Sequence, residues 1–194
     1  MTEPRHGLAW RFVLFGLVGA AALACSQPGR GPHGLDLEGH QVAPLDTAAS
    51  ATTLIFVRSD CPISNRYAPE MQRLHDDYSP AGMRFYLVYP DPDETSESIR
   101  RHAADYSLSV EPLRDPEHEL VDHVEATVTP SVAVFVGHQL VYSGQIDDRY
   151  TDLGRARPRA SRQSLRDVLD AVVAGEVPRL QRTRAVGCLI ADLK

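Results

Sequence analysis

Apolar positions along the middle of the chain fall into short continuous runs and longer helical spacings. Residues 52–59 (TTLIFVRS) and 83–90 (MRFYLVYP) are rich in β-branched and aromatic side chains, which predicts two buried strands. Between the two runs, four apolar or aromatic residues recur at i, i+4, i+7 and i+11, the spacing of one helix face. These four residues are Tyr67, Met71, Leu74 and Tyr78.

Similar patterns continue towards the C-terminus. Residues 94–108 predict a helix with Thr95 or Ser96 as its cap, and residues 116–126 predict a shorter one. Residues 131–147 predict two strands joined in a hairpin, and residues 161–176 predict a last helix. Strands that alternate with helices and end in a hairpin predict an α/β fold, with a central mixed β-sheet flanked by helices.

The N-terminus has the pattern of a targeting segment. Two arginines precede the apolar run of residues 12–24, whose 13 positions suit a signal peptide and fall short of the ~20 needed to span a membrane. We therefore predict a signal peptide over residues 1–24. The sequence ALAC then favours a lipoprotein whose Cys25 carries lipid and anchors it to the membrane; an ordinary cleaved signal peptide and an uncleaved membrane anchor are the alternatives.

Residues 25–40 are rich in glycine, proline and polar side chains, which predicts a flexible tether. All three interpretations of the N-terminus predict that the following domain lies outside the cytoplasm, in the cell envelope or periplasm, where thiols are oxidised. The formal net charge of −6 argues against a nucleic-acid partner. Eight scattered histidines form no tight ligand pair, so we predict no metal and no cofactor.

Three cysteines leave an odd number for pairing in an oxidising compartment. If Cys25 carries lipid, Cys61 and Cys188 remain as a candidate pair. Cys61 stands where a strand runs into a helix, so its thiolate would lie at the positive end of the helix dipole. Pro62 suits the first helical position because it has no N–H group.

Several neighbours in sequence are candidates for the environment of the Cys61 thiolate. The hydroxyl of Ser64, one helical turn along, would donate a hydrogen bond to the sulfur. Arg58 and Arg66 would lower the pKa of the thiol, while Asp60 would raise it.

Two spacings resemble the thioredoxin fold. Ala68 and Pro69 follow Cys61 by seven and eight residues, and Thr129–Pro130 precedes the first strand of the hairpin. The long interval from Cys61 to Pro130 resembles the redoxin branch, the AhpC/TSA superfamily that includes envelope thiol–disulfide proteins. The resemblance covers roughly residues 39–176.

The resemblance implies a redoxin domain over residues 41–176, followed by a tail over residues 177–194 that carries Cys188. It also implies that Pro130 is cis and that Thr129 and Pro130 shape a groove beside the sulfur. The expected partner is a protein thiol or disulfide, either as a substrate or as a reductant.

Three functions are consistent with this pattern. In the first, Cys61 exchanges with a disulfide and Cys188 resolves the mixed disulfide. In the second, the protein is a thiol peroxidase, although Leu54 and Arg58 stand where the peroxidase branch has a proline and a threonine. In the third, the domain is non-catalytic and uses a Cys61–Cys188 disulfide as a staple.

Overall fold

An eight-stranded mixed sheet confirms the predicted α/β fold, and its central strands are Thr52–Phe56, Arg84–Tyr89 and Ser131–Val136. The structure, a computed structural model, describes Met1 and residues 31–191. The strands are β1 (Gly34–Leu35), β2 (Gln41–Val42), β3 (Thr52–Phe56), β4 (Arg84–Tyr89), β5 (Glu111–Arg114), β6 (Val128–Thr129), β7 (Ser131–Val136), β8 (Gln139–Gly144), β9 (Tyr150–Asp152), β10 (Arg155–Ala156), β11 (Gln181–Arg182) and β12 (Cys188–Leu189). The order in the large sheet is β11-β8-β7-β3-β4-β5-β1-β2, and two further pairs, β10-β9 and β12-β6, stand apart from it.

Among the residues that the structure describes, four α-helices cover the two faces of the sheet. They are α1 (Pro62–Tyr78), α2 (Ser96–Asp105), α3 (Glu119–Val124) and α4 (Ser164–Val173). The buried side chains of α1, α2 and α4 join one core cluster, and those of α3 join a second. Alternation along β3 explains the division, since Ile55 belongs to the first cluster and its neighbours Leu54 and Phe56 belong to the second.

Strand pairing sets where the site lies. β3 runs parallel to β4 and antiparallel to β7, so the C-terminal end of β3 lies beside the N-terminal end of β7. Phe56, the last residue of β3, is paired with Ser131, the first residue of β7. The chain that leaves β3 towards Cys61 therefore meets the chain that enters β7 through Pro130.

Both ends of the domain differ from the sequence-based prediction. Part of the predicted tether is sheet, because Leu35 of β1 pairs with Arg114 of β5 and Gly34 with Val42 of β2. The predicted tail also joins the fold, since β11 pairs with β8 and β12 pairs with β6. These strands have two residues each, too few for a hydrophobic pattern to reveal them. The predicted signal peptide, apart from Met1, and Cys25 lie outside the described residues.

Candidate functional site

Cys61 is the N-cap residue of α1. Its backbone is extended, Pro62 occupies the first helical position, and the Asn65 N–H donates to the Cys61 carbonyl at 3.0 Å. The side chain is only 1% exposed. The sequence thus places a thiol at the start of a 17-residue helix, where free N–H groups favour a negative charge.

The segment before β7 lies directly against this thiol. The Thr129–Pro130 peptide bond is cis, and the Cys61 Sγ donates to the Thr129 carbonyl oxygen at 3.2 Å. The same segment includes β6, and β12 pairs with β6 in antiparallel register. Cys188 lies opposite Thr129, and Leu189 lies opposite Val128. Pairing to one short strand therefore brings Cys188 to Cys61 across 127 residues of sequence.

Gly187 allows this close approach. A Cβ atom at this position would lie 2.0 Å from the Thr129 oxygen and 2.5 Å from its carbonyl carbon. Both are backbone atoms that no rotamer change can move aside. Any side chain at position 187 would therefore push β12 away from β6.

The two sulfurs form the centre of the site. The Cys61 and Cys188 Sγ atoms are 2.6 Å apart, and both residues are free thiols in this structure. Cys61 is buried, whereas Cys188 is partly exposed. The separation brings the two groups close enough to react with each other without rearrangement of the backbone.

The surroundings distinguish the two thiols electrostatically. Burial by itself raises the pKa of Cys61, but the hydrogen bond from Cys188 and the nearby backbone N–H and hydroxyl dipoles of Ser64 outweigh it, so the pKa falls below the usual value. Burial and the neighbouring Cys61 together raise the pKa of Cys188 to about 12. When one of the two thiols ionises it is therefore Cys61, with Cys188 as the hydrogen-bond donor.

Ser64 lies beneath Cys61 at the start of α1. Its hydroxyl is buried and makes no hydrogen bond of ordinary geometry, and the same is true of the Thr129 hydroxyl. The effect of Ser64 on the thiolate is therefore that of a nearby dipole rather than of an aligned hydrogen bond. Of the two residues, Thr129 contacts the Cys61 sulfur through its backbone carbonyl.

The Arg58 guanidinium contacts the C-terminal segment and two aspartates rather than the Cys61 sulfur. Its guanidinium pairs with Asp60 at 2.9 Å and Asp91 at 3.2 Å, and it donates to the Leu189 carbonyl at 3.3 Å. Its positive charge lowers the pKa of Cys188, against the larger effect of burial. Arg58 thus links the loop before Cys61 to β12.

A buried hydrogen-bond chain that the sequence did not reveal holds the loop before Cys61. The Asn65 side chain donates to the Ser59 carbonyl at 2.9 Å and contacts His102 Nε2 at 2.9 Å, and His102 Nδ1 in turn contacts the Tyr89 hydroxyl at 2.9 Å. Burial lowers the pKa of His102, so the ring is neutral at neutral pH. The only sequence signal was Asn65 itself, four residues after Cys61.

A cavity of about 330 Å³ opens beside Cys188. Its walls come from the first turn of α1 and from the β9–β10 hairpin. Leu153 at the tip of the hairpin is 66% exposed, while Tyr150 is buried. The residues that line the cavity include Pro62, Ile63, Arg66, Tyr150, Leu153 and Cys188.

Neither a metal centre nor a membrane span is found in the part of the chain that the structure describes. Within residues 31–191, no three His, Cys, Asp or Glu side chains come together as metal ligands would. No helix in that range has both the length and the apolar character to cross a membrane.

Comparisons with known proteins agree with this geometry. An uncharacterized conserved protein from Geobacillus kaustophilus is similar, with 26% identity, 83% of this chain and 88% of that chain covered, and a TM-score of 0.67. A hypothetical protein from Sinorhizobium meliloti has 23% identity, coverages of 81% and 88%, and a TM-score of 0.64.

A secreted disulfide oxidoreductase of Mycobacterium tuberculosis, homologous to E. coli DsbE, has the same fold. Its identity is 13%, its coverages are 74% of this chain and 95% of that chain, and its TM-score is 0.51. No match was found among curated proteins. The model of the AhpC/TSA family matches residues 18–143, well over half of the chain. The chain therefore belongs to the AhpC/TSA family, with a thioredoxin-like fold.

Proposed function

We propose that the protein is a thiol–disulfide oxidoreductase of the cell envelope, with Cys61 and Cys188 as its redox pair. The 2.6 Å separation of the two sulfurs carries the proposal, because oxidation of the pair needs no larger movement than formation of the bond. The lowered pKa of Cys61 supports it, since the thiolate is both the attacking and the preferred leaving form in exchange. The M. tuberculosis relative, described as a disulfide oxidoreductase, points to the same chemistry.

A peroxidase is less well supported by the site. Arg58 stands where the peroxidase branch has a threonine, and its guanidinium is engaged by Asp60, Asp91 and the Leu189 carbonyl. The Cys61 sulfur, which would have to meet peroxide, is covered by Thr129 and Cys188.

The test begins with redox equilibrium. The full-length chain with Cys25→Ser, which leaves two thiols, is equilibrated in glutathione buffers of graded ratio and then alkylated. A single two-electron transition that links Cys61 to Cys188 is expected. Failure to form the bond at any ratio would refute the proposal.

Catalysis then separates the three functions. The oxidoreductase predicts that the protein accelerates reduction of insulin by dithiothreitol, and that Cys61→Ser and Cys188→Ser do not. A peroxidase predicts consumption of hydrogen peroxide with a dithiol instead. A structural staple predicts a bond that forms and yet accelerates neither reaction.

Membrane attachment through lipid on Cys25 is part of the same proposal. The support is the position of Cys25 directly after the predicted signal peptide. Cys25→Ala should move the protein from the membrane fraction to the soluble fraction. Equal distribution of both forms would contradict lipidation.

A further inference from the structure

Cys188 and Cys61 differ in their access to an incoming molecule. The cavity of about 330 Å³ is lined by Cys188, and Cys61 is not among its lining residues. The Cys61 sulfur faces the Thr129 carbonyl and is 1% exposed. A molecule that enters the cavity therefore meets Cys188 first.

From this geometry we infer that Cys188, and not Cys61, is the sulfur that exchanges with an external thiol, and that the cavity between α1 and the β9–β10 hairpin receives it. The inference rests on the proposed function, because it concerns the oxidised Cys61–Cys188 pair. It reverses the roles that the sequence suggested, in which Cys61 meets the substrate and Cys188 resolves the intermediate.

The exchange balances in two steps. An external thiolate attacks the Cys188 Sγ; a new disulfide to Cys188 forms, the Cys61–Cys188 bond breaks, and Cys61 leaves with the electron pair as a thiolate. A second external thiolate then attacks the external sulfur of the mixed disulfide and releases Cys188, which takes a proton from solvent. The two external thiols are oxidised to a disulfide and the protein pair is reduced.

The properties of Cys61 suit it to the leaving role. A thiol of lower pKa leaves a disulfide faster. Cys61 lies at the N-terminus of α1 beside the dipole of Ser64, and both features favour its thiolate as the bond to Cys188 breaks. The same surroundings that bury Cys61 therefore help it to depart.

The cavity walls indicate the kind of thiol that fits. Pro62, Ile63 and Leu153 give the cavity an apolar lining. Arg66 is exposed at its edge, and none of the described ion pairs or hydrogen bonds uses its guanidinium. An apolar wall beside an uncommitted positive charge fits a cysteine in an anionic peptide with apolar neighbours.

Single-cysteine variants test which sulfur exchanges. In the Cys25→Ser chain, Cys61→Ser and Cys188→Ser are treated with oxidised glutathione, and formation of the mixed disulfide is followed by mass. Serine at position 188 keeps Cys61 covered. Once each rate is divided by the thiolate fraction from that variant's own pH profile, Cys61→Ser should form the adduct at least about tenfold faster than Cys188→Ser, because access then decides the rate. Equal rates, or a faster reaction of Cys188→Ser, would overturn the inference.

The oxidised two-cysteine protein gives an independent result. It is mixed with reduced glutathione, quenched in acid, alkylated and digested with trypsin. Cys61 falls in the peptide SDCPISNR and Cys188 in AVGCLIADLK. Glutathione on AVGCLIADLK is expected; glutathione on SDCPISNR overturns the inference but leaves the proposed function intact. A protein that cannot be oxidised at all would refute the function itself.

Arg66 provides a matched electrostatic test. Arg66→Gln should slow exchange with anionic glutathione by about two- to fivefold and affect uncharged 2-mercaptoethanol less. Arg179→Gln removes the same charge from an exposed position that does not line the cavity. Equal effects of the two substitutions would remove Arg66 from the docking site.

Discussion

Replacement of Gly187 by alanine should separate the two sulfurs while leaving the sheet intact. The new Cβ would lie 2.0 Å from the Thr129 oxygen, and real Cβ atoms essentially never approach closer than 3.0 Å, so β12 must move by at least about 1 Å. Overpacking in a well-packed interior costs about 1–3 kcal/mol. The two-residue ladder between β6 and β12 has only a few hydrogen bonds of about 1 kcal/mol each to oppose it. The ladder therefore yields before the core does.

A displacement of about 1 Å between reacting groups can cost up to about a hundredfold in effective concentration. We expect Gly187→Ala to lower the effective molarity of Cys61–Cys188 disulfide formation by about ten- to a hundredfold, measured by equilibration with glutathione and alkylation. Gly31→Ala is the matched control, because a Cβ there meets only the Asp46 Oδ1 at 3.8 Å. An effective molarity for Gly187→Ala within twofold of the unsubstituted protein would refute this account of the close approach.

Three further predictions concern the pair and its support. Cys188→Ala should raise the pKa of Cys61, because burial then acts without the hydrogen bond from Cys188, whereas Cys188→Ser should keep more of the lowering. The rate of Cys61 alkylation as a function of pH measures the pKa in both variants. Identical profiles would contradict the role assigned to the Cys188 hydrogen bond. Oxidation should raise the free energy of unfolding by about 2–4 kcal/mol, because the bond would join residues 127 apart in sequence. Guanidinium denaturation measures this free energy, with Cys188→Ser as the oxidation-insensitive control. Coincident unfolding midpoints of the oxidised and reduced protein would count against the prediction. Burial lowers the pKa of His102, so the stability it contributes is fully present above its unfolded pKa of about 6.5 and is lost as the pH falls through its folded pKa. His102→Gln should show a smaller loss of stability than the unsubstituted protein between about pH 7.5 and 5.5, and parallel curves would exclude His102 as the cause.

The core of the fold was accessible from the sequence because its elements are long and periodic. β3 and β4 are buried apolar strands, and α1 carries a regular apolar face; both patterns arise from burial against one sheet. The ends of the helices were predicted less accurately than their existence. The predicted helix at 94–108 is shorter, Ser96–Asp105, because Thr95 and Ser98 form a capping box and the backbone turns at Tyr106.

The short strands were missed because long-range pairing, and no local pattern, creates them. β12 exists only because Gly187 lets it approach Thr129, and β1 because Leu35 meets Arg114. The Cys61–Cys188 pairing was suggested by counting cysteines, but the relative burial of the two sulfurs depends on those strands. The cavity likewise depends on Tyr150, which sits in a segment that reads as polar.

No local pattern in the sequence marks Glu94 and His102 as residues near the site. Glu94 accepts a hydrogen bond from the Ser59 N–H at 2.7 Å, and its burial raises the pKa of its carboxyl, yet in sequence it is one acid among several before α2. His102 lies on α2 among exposed neighbours, and its contact with Asn65 spans 37 residues. Contacts of this kind follow from the packing of α2 against α1, which no local pattern specifies.

The distance along the chain between the two cysteines also affects how the protein is made. Cys188 emerges from the ribosome 127 residues after Cys61, which at about 5–20 residues per second is a delay of about 6–25 s. All residues from β3 to α4 are synthesised within that interval or before it, while Cys61 has no partner of its own. A chain cut short before residue 188 would leave an open edge beside Thr129 and would lose Ile190 from the second core cluster. In such a chain Cys61 would have lost Cys188 as its partner, and its oxidation to a disulfide would require a foreign cysteine.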